Sequence, residues 1–268
     1  MPTTVRTRAG RLSVTVEGSG PPALLWHSLL VDSTQWDRVR AELGARRTLL
    51  LVDGPGHGRS GPPPRGTSFA GCADAALEVL DAVGADGPVD WIGNAWGGHV
   101  GYHFAARHPG RCRTLVAVAA PHTPLPPSQR ARIAALVALH RLTGPHPLRG
   151  VVVDTLLSPA ARAGDPEAVR RVEEAFLRGH RTGMNRVMVA MMLRRPDLTG
   201  VLRRVTAPTL LVAGAADPLW SGRRADAAAA VLPAGSALVV DGSGHLPPLE
   251  APAAFAGAVV DHWAAPVG

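Results

Sequence analysis

The sequence predicts an α/β fold, a mostly parallel, doubly wound sheet with helices on its faces. Short apolar runs rich in β-branched residues alternate with longer helical stretches. The runs are bounded by Gly, Pro or charges and are mostly apolar throughout, as strands buried on both faces are. At 268 residues the chain suits one large domain carrying an insertion.

Taken in order, Leu12–Val16 and Ala23–Trp26 read as the first two strands, followed by a helix over Thr34–Leu43. Thr48–Val52 is the third strand, and Ser68–Val83 the next helix. Val89–Ile92 runs as a strand into a glycine-flanked turn and then a helix over Gly98–Arg107. Leu115–Ala119 follows as a strand. The alternation breaks after Ala120: from about His122 to Arg204 the pattern is helical and arginine-rich, punctuated at Pro126-Pro127, Gly144-Pro145, Ser158-Pro159 and Arg195-Pro196. We read residues 122–204 as a helical cap inserted into a core made of 1–121 and 205–268. Strands Thr209–Ala213 and Ala237–Val240, with helices over Ser221–Leu232 and Pro252–Trp263, complete the core.

Composition narrows the function classes. An apolar fraction of 46% supports a substantial core, and no apolar run has the length to cross a bilayer. The N-terminal Met1-Pro2-Thr3-Thr4-Val5-Arg6 has no apolar signal region, so a cytoplasmic location is expected, without membrane partners. Cys72 and Cys112 lack metal-like spacing and read as reduced, packed residues. All 28 basic residues are arginine. Residues 122–204 carry 14 Arg against 6 Asp or Glu, while the remainder carries 14 against 15. A basic excess confined to one segment, with no nucleic-acid motif, argues against nucleic-acid binding. It is compatible with solvated arginine faces, or with a basic lid over an anionic small molecule or acidic carrier protein.

The chemistry-bearing residues fall at the ends of the predicted strands, where sites collect in open α/β sheets. Gly93-Asn94-Ala95-Trp96-Gly97 has the form G-x-Nuc-x-G, a sharp turn that lifts its central side chain clear of the sheet. Ala95 occupies the nucleophile position, and a methyl group cannot attack. Asp217 follows the strand Thr209–Ala213, and His245 follows Ala237–Val240. Asp217 would orient His245 and stabilise its protonated form, with His245 as general base. Asp217 before Pro218 also suits a helix entry, and His245 in Gly-x-Gly-His a satisfied surface histidine.

Other motifs carry less. His99 and His103 lie four apart without a Glu-x-x-His setting, so no metal is expected. Gly56-His57-Gly58-Arg59-Ser60-Gly61 matches a dinucleotide fingerprint in form, but Pro62-Pro63-Pro64 cannot open the helix such a site requires. No cofactor is implied. Trp26, Trp36, Trp91 and Trp263 read as packing residues, and Trp96 and Trp220 as nearer the pocket.

His27–Trp36, Asp53–Ser60, Gly93–Gly98, Asp217 and Gly242–Glu250 follow one another in the order and spacing of the α/β-hydrolase superfamily, which the chain resembles over nearly its full length. The resemblance implies a sheet of about eight strands, a helical cap, and an oxyanion hole from the Leu29 and Trp96 N–H groups. It implies substrate contacts from Ser28, His122 and Trp220, and a small-molecule substrate, with no oligomeric state fixed. Ser28 stands where glycine is usual, as in some enol-lactonase-like members. Trp96 and Pro121-His122 resemble the epoxide-hydrolase and dehalogenase branch, whose nucleophile is Asp. The lone tyrosine, Tyr102, lies outside the cap, and no asparagine follows His27, so serine-type acyl transfer is the better ancestor.

Three functions are therefore expected to compete. The first is action on a small ester, lactone or related acyl compound, with the nucleophile replaced by Ala95, by design or naturally. The second is a nucleophile-independent enzyme in which the His245–Asp217 dyad abstracts a proton, as in lyase, cyclase or cofactor-free oxygenase chemistry. The third is a non-catalytic ligand-binding homologue.

Overall fold

The computed structural model describes residues 2–265. Its sheet has eight strands: β1 (Thr3–Thr7), β2 (Gly10–Gly18), β3 (Pro22–Trp26), β4 (Thr48–Asp53), β5 (Val89–Asn94), β6 (Cys112–Val118), β7 (Thr209–Gly214) and β8 (Gly235–Val240). The spatial order is β1-β2-β4-β3-β5-β6-β7-β8. β2 pairs antiparallel with β1 and β4, and the remaining pairs are parallel. The central strands β5 and β7 are buried at every position, matching their unbroken apolar character.

The core helices are α1 (Arg40–Gly44), α2 (Phe69–Ala82) and α3 (Trp96–Arg107). Between β6 and β7 the chain forms α4 (Pro127–Thr143), α5 (Arg149–Leu156), α6 (Pro159–Gly164), α7 (Pro166–Arg178), α8 (Arg181–Val187), a π-helical turn at Met188–Leu193, and α9 (Thr199–Leu202). The last core helices are α10 (Gly222–Ala229), α11 (Pro247–Glu250) and α12 (Pro252–Ala264).

Two expectations from the sequence change. The helix expected over Thr34–Leu43 is a 3-10 turn, Ser33–Trp36, capped by Asp32, followed by the short α1. β1 was not anticipated, because Thr3–Thr7 is an edge strand that buries only Val5. The one acid inside a central strand, Asp90, is fully buried and paired: Arg47 donates to it at 2.7 Å, Thr114 at 2.7 Å, and Arg113 forms a further ion pair.

The helical segment between β6 and β7 is fastened to the core by its arginines. Arg178 reaches the buried Asp32 at 2.9 Å, Arg171 pairs with Asp37, and core Arg38 pairs with Asp165 at the start of α7. Part of the segment's positive charge is thus neutralised by the core carboxylates Asp32 and Asp37.

Candidate active site

β5 ends at Asn94, and the chain turns at Ala95 directly into α3. Ala95 has φ 46° and ψ −102°, a conformation that L-residues seldom adopt. The two glycines around it are required by closeness rather than by φ. A Cβ on Gly93 would overlap the Gly97 carbonyl, and one on Gly97 would overlap the Trp26 carbonyl. The turn is held from below by the Ala95 N–H, which donates to Val118 O at 2.6 Å. Its strained geometry is therefore intact although its side chain is a methyl group.

Asp217 and His245 meet as their strand-end positions suggested. The Asp217 loop leaves β7, and its Oδ1 accepts the Leu219 N–H at 2.8 Å. Its Oδ2 lies 2.8 Å from His245 Nδ1, which fixes the proton on Nδ1 and leaves Nε2 as the open ring nitrogen. Both side chains are buried. Burial opposes charging His245, but the Asp217 carboxylate, its hydrogen bond and the charge of Glu250 outweigh it and hold the imidazole above its ordinary pKa.

The loop after β3 is shaped by neutral histidines. His27 Nδ1 donates to Ser28 O at 2.6 Å, and His27 Nε2 accepts the Gly54 N–H at 2.8 Å. Desolvation in its buried site lowers the His27 pKa despite nearby Asp53, consistent with this neutral tautomer. His57 Nε2 accepts the Leu30 N–H at 3.3 Å, and Leu30 takes φ 71°. Among the described residues no acceptor engages the N–H of Leu29 or of Trp96. Ser28, expected to touch substrate, is buried and engaged through its backbone, its N–H donating to Gln35 Oε1 at 2.9 Å. The Trp96 ring is also buried, packed edge-on against Trp26 and His27 and tilted against His57, so its indole is part of the packing.

Three polar residues tie these loops together and were not singled out from the sequence. Gln35 Nε2 donates to Asn94 Oδ1 at 3.4 Å, and Asn94 Nδ2 donates to His245 O at 3.2 Å. Glu250 accepts the N–H groups of Gly244, Leu246 and Ser158. Each lies within or beside a matched motif, so a polar residue inside an otherwise buried motif was the available signal. The remaining candidates, His122 and Trp220, sit on the loops after β6 and β7. His122 Nδ1 and Trp220 Nε1 are both buried without a partner among the described residues. Among the described residues no three or more His, Cys, Asp or Glu are grouped so as to hold a metal ion.

Chemically, the arrangement joins a buried carboxylate–imidazole pair, a strained turn and two unengaged backbone donors at the carboxyl ends of the strands. Comparison with known proteins places the fold and the family. The pimeloyl-(acyl-carrier protein) methyl ester esterase of Chromobacterium violaceum is 29% identical over 222 residues, covering 79% of this chain and 83% of that protein. A thermophilic esterase from Thermogutta terrifontis superposes with a TM-score of 0.90 at 25% identity, over 98% of both chains. The enol-lactonase from Burkholderia xenovorans shares the fold, with a TM-score of 0.89 at 20% identity over 98% of this chain and 100% of the other. A model of the alpha/beta hydrolase family matches residues 23–258, and the chain belongs to that family.

Proposed function

We propose that this site binds a small ester, lactone or related acyl compound with its carbonyl oxygen between the N–H groups of Leu29 and Trp96. The observation that carries the reading is the Asp217–His245 pair at 2.8 Å, with Nε2 open, in a fold whose elbow keeps its strained turn. In this reading residues 122–204 form the cap over the pocket, with Ser28, His122 and Trp220 along its walls. The esterase activity of the Chromobacterium and Thermogutta relatives supports the substrate class.

In this reading the mechanism is acyl transfer through a hydroxyl at position 95. Asp217 keeps the His245 proton on Nδ1, so Nε2 can take a proton from a hydroxyl at position 95 as it attacks the carbonyl. Negative charge growing on the carbonyl oxygen is then met by the two backbone donors. Ala95 supplies no such hydroxyl, so the chain binds substrate and forms no acyl-enzyme.

The test is hydrolysis of a panel of small esters and lactones by the chain beside its Ala95→Ser variant. The expected result is turnover and an acyl-enzyme mass by the variant alone. Hydrolysis by neither protein would overturn the reading.

The completeness of the dyad favours a second reading, because a pocket that only binds has no need of a base and its orienter. Here His245 Nε2 abstracts a proton directly from substrate and the same N–H pair stabilises the resulting anion. It predicts that His245→Ala abolishes activity while Ala95→Ser changes it little.

A further inference from the structure

Among the described residues Arg195 is the one arginine of the segment between β6 and β7 that is neither exposed nor paired with a carboxylate. Arg162, Arg170, Arg171 and Arg178 each reach an Asp or Glu. Arg195 is partly buried, and its one polar contact is donation from Nε to Thr123 O at 3.0 Å. Arg224, from α10, donates to Leu219 O at 2.9 Å and lies 5.8 Å from the centre of the Trp220 ring. Among the described residues neither guanidinium has a carboxylate within ion-pair distance.

The two arginines are held by neighbouring loops, because Thr123 follows β6 and Leu219 follows β7, and these strands pair in parallel. Burial first, and then the Arg224 charge, push the Arg195 pKa down to about 10, with Tyr102 acting weakly in the opposite direction. At neutral pH Arg195 is therefore still cationic, and the Arg224 charge repels it. His122 feels both of them, and His99 feels Arg195. The nearest acid in sequence, Asp197, is exposed and accepts the Thr199 N–H at 2.7 Å; its charge reaches His122. The Tyr102 hydroxyl donates to Ala120 O at 3.0 Å and supplies no negative charge.

This region adjoins the elbow. Val118 accepts the Ala95 N–H, and Pro121 O lies 2.8 Å from His99 Nε2, one turn into α3. Thr123, which holds Arg195, is two residues further on. Arg224 is held by Leu219, whose own N–H is bound by Asp217. The unpartnered His122 Nδ1 and Trp220 Nε1 belong to the same two loops. Two guanidiniums without a carboxylate partner, held by the loops after β6 and β7, present donors suited to an anion.

We propose that Arg195 and Arg224 form a carboxylate seat, making this site selective for esters or lactones that carry a free carboxylate away from the reacting carbonyl. The proposal deepens the reading of the site as an ester or lactone site and rests on it. A guanidinium pair suits a carboxylate because its N–H groups can meet both oxygens at once.

The test uses the monomethyl esters of succinate, adipate and sebacate, each beside its neutral dimethyl ester. Calorimetry on the chain with Ala95 intact reads binding without turnover. The same pairs, in the Ala95→Ser background, give kcat and KM. At least one monomethyl ester is expected to be preferred over its diester. Arg195→Met and Arg224→Met should each reduce that preference on the order of 10- to 100-fold, through KM, as loss of a charge-assisted hydrogen bond implies. Arg195→Lys should restore part of it, which a folding defect would not allow. Equal binding of mono- and diesters, or Met variants that leave the ratio unchanged, would overturn the seat. If the Ala95→Ser protein hydrolyses neither ester, the acyl-transfer reading falls, and calorimetry on the Ala95 chain still decides whether the seat exists.

Discussion

Glu250 holds His245 without touching its ring: one carboxylate oxygen accepts the flanking N–H groups of Gly244 at 3.0 Å and Leu246 at 3.1 Å. Its other oxygen accepts the Ser158 N–H at 2.7 Å, from the segment between β6 and β7. The loop bearing the imidazole is thereby fixed to α11 and to the entry of α6 by one side chain.

Glu250→Gln should therefore be costly although it is nearly isosteric. The amide keeps one oxygen for Gly244 and Leu246 but turns an NH2 group toward the Ser158 N–H. Leaving that donor unsatisfied should cost about 1–3 kcal/mol in urea unfolding. Removal of the charge should also lower the His245 pKa, because Glu250 helps hold it up. Unchanged stability together with an unchanged imidazole titration by NMR would contradict both.

Stability should be lost steeply on the acid side. Burial pushes His57 down to about 3, and protonating both neighbouring rings, His57 and His27, is opposed by their mutual repulsion. Burial, with Arg107 and Arg204, pushes His103 to about 4. Unfolded, each takes a proton near pH 6.5. The unfolded chain therefore binds more protons below 6.5, and the stabilisation present above that pH is lost as pH falls toward 4. His245 has the opposite sign: its contribution is complete below 6.5 and is lost as pH rises through its raised folded value. Urea unfolding across pH should show an acid limb of roughly two protons or more from these histidines. A flat profile between pH 7 and 4 would show that they are not buried neutral.

The fold was legible because its strands are short apolar runs and its candidate site residues lie just beyond their ends. Asp217 and His245 could be paired on chain order alone, and they meet. What stayed hidden depends on partners distant in sequence. β1 buries only Val5 and takes its identity from pairing with β2. Thr34–Leu43 has helical spacing, but Asp32 caps a 3-10 turn there and ends the regular pattern early. Glu250 was visible inside a motif, but its work is backbone satisfaction, which no side-chain pattern announces. Arg195 is one of fourteen arginines between 122 and 204, and only the contacts separate it from those that bind carboxylates.

The elbow glycines give a sharp packing test. Gly93→Ala drives its methyl group into the Gly97 backbone carbonyl, which cannot move without unwinding the start of α3. Overpacking against backbone should cost about 3 kcal/mol or more. Gly66→Ala is the control: its φ is +82° with nothing within 4 Å, so only left-handed strain of about 1–2 kcal/mol is expected. Equal losses for the two variants in chemical denaturation would mean that the turn is looser than its geometry implies.

Gln35 links the two donor loops, and its replacement should separate stability from catalysis. It is buried, accepts the Ser28 N–H at 2.9 Å, and donates to Asn94 at 3.4 Å. Gln35→Leu preserves volume but strands the Ser28 N–H, at a cost of about 1–3 kcal/mol. In the proposed acyl-transfer reading the N–H of Leu29, next to Ser28, meets the carbonyl oxygen as its charge develops, so loosening this loop weakens the transition state more than the bound ester. In the Ala95→Ser background kcat should fall on the order of tenfold or more while KM changes little. A rise in KM at constant kcat would instead make the loop a binding wall and remove Leu29 from the oxyanion site.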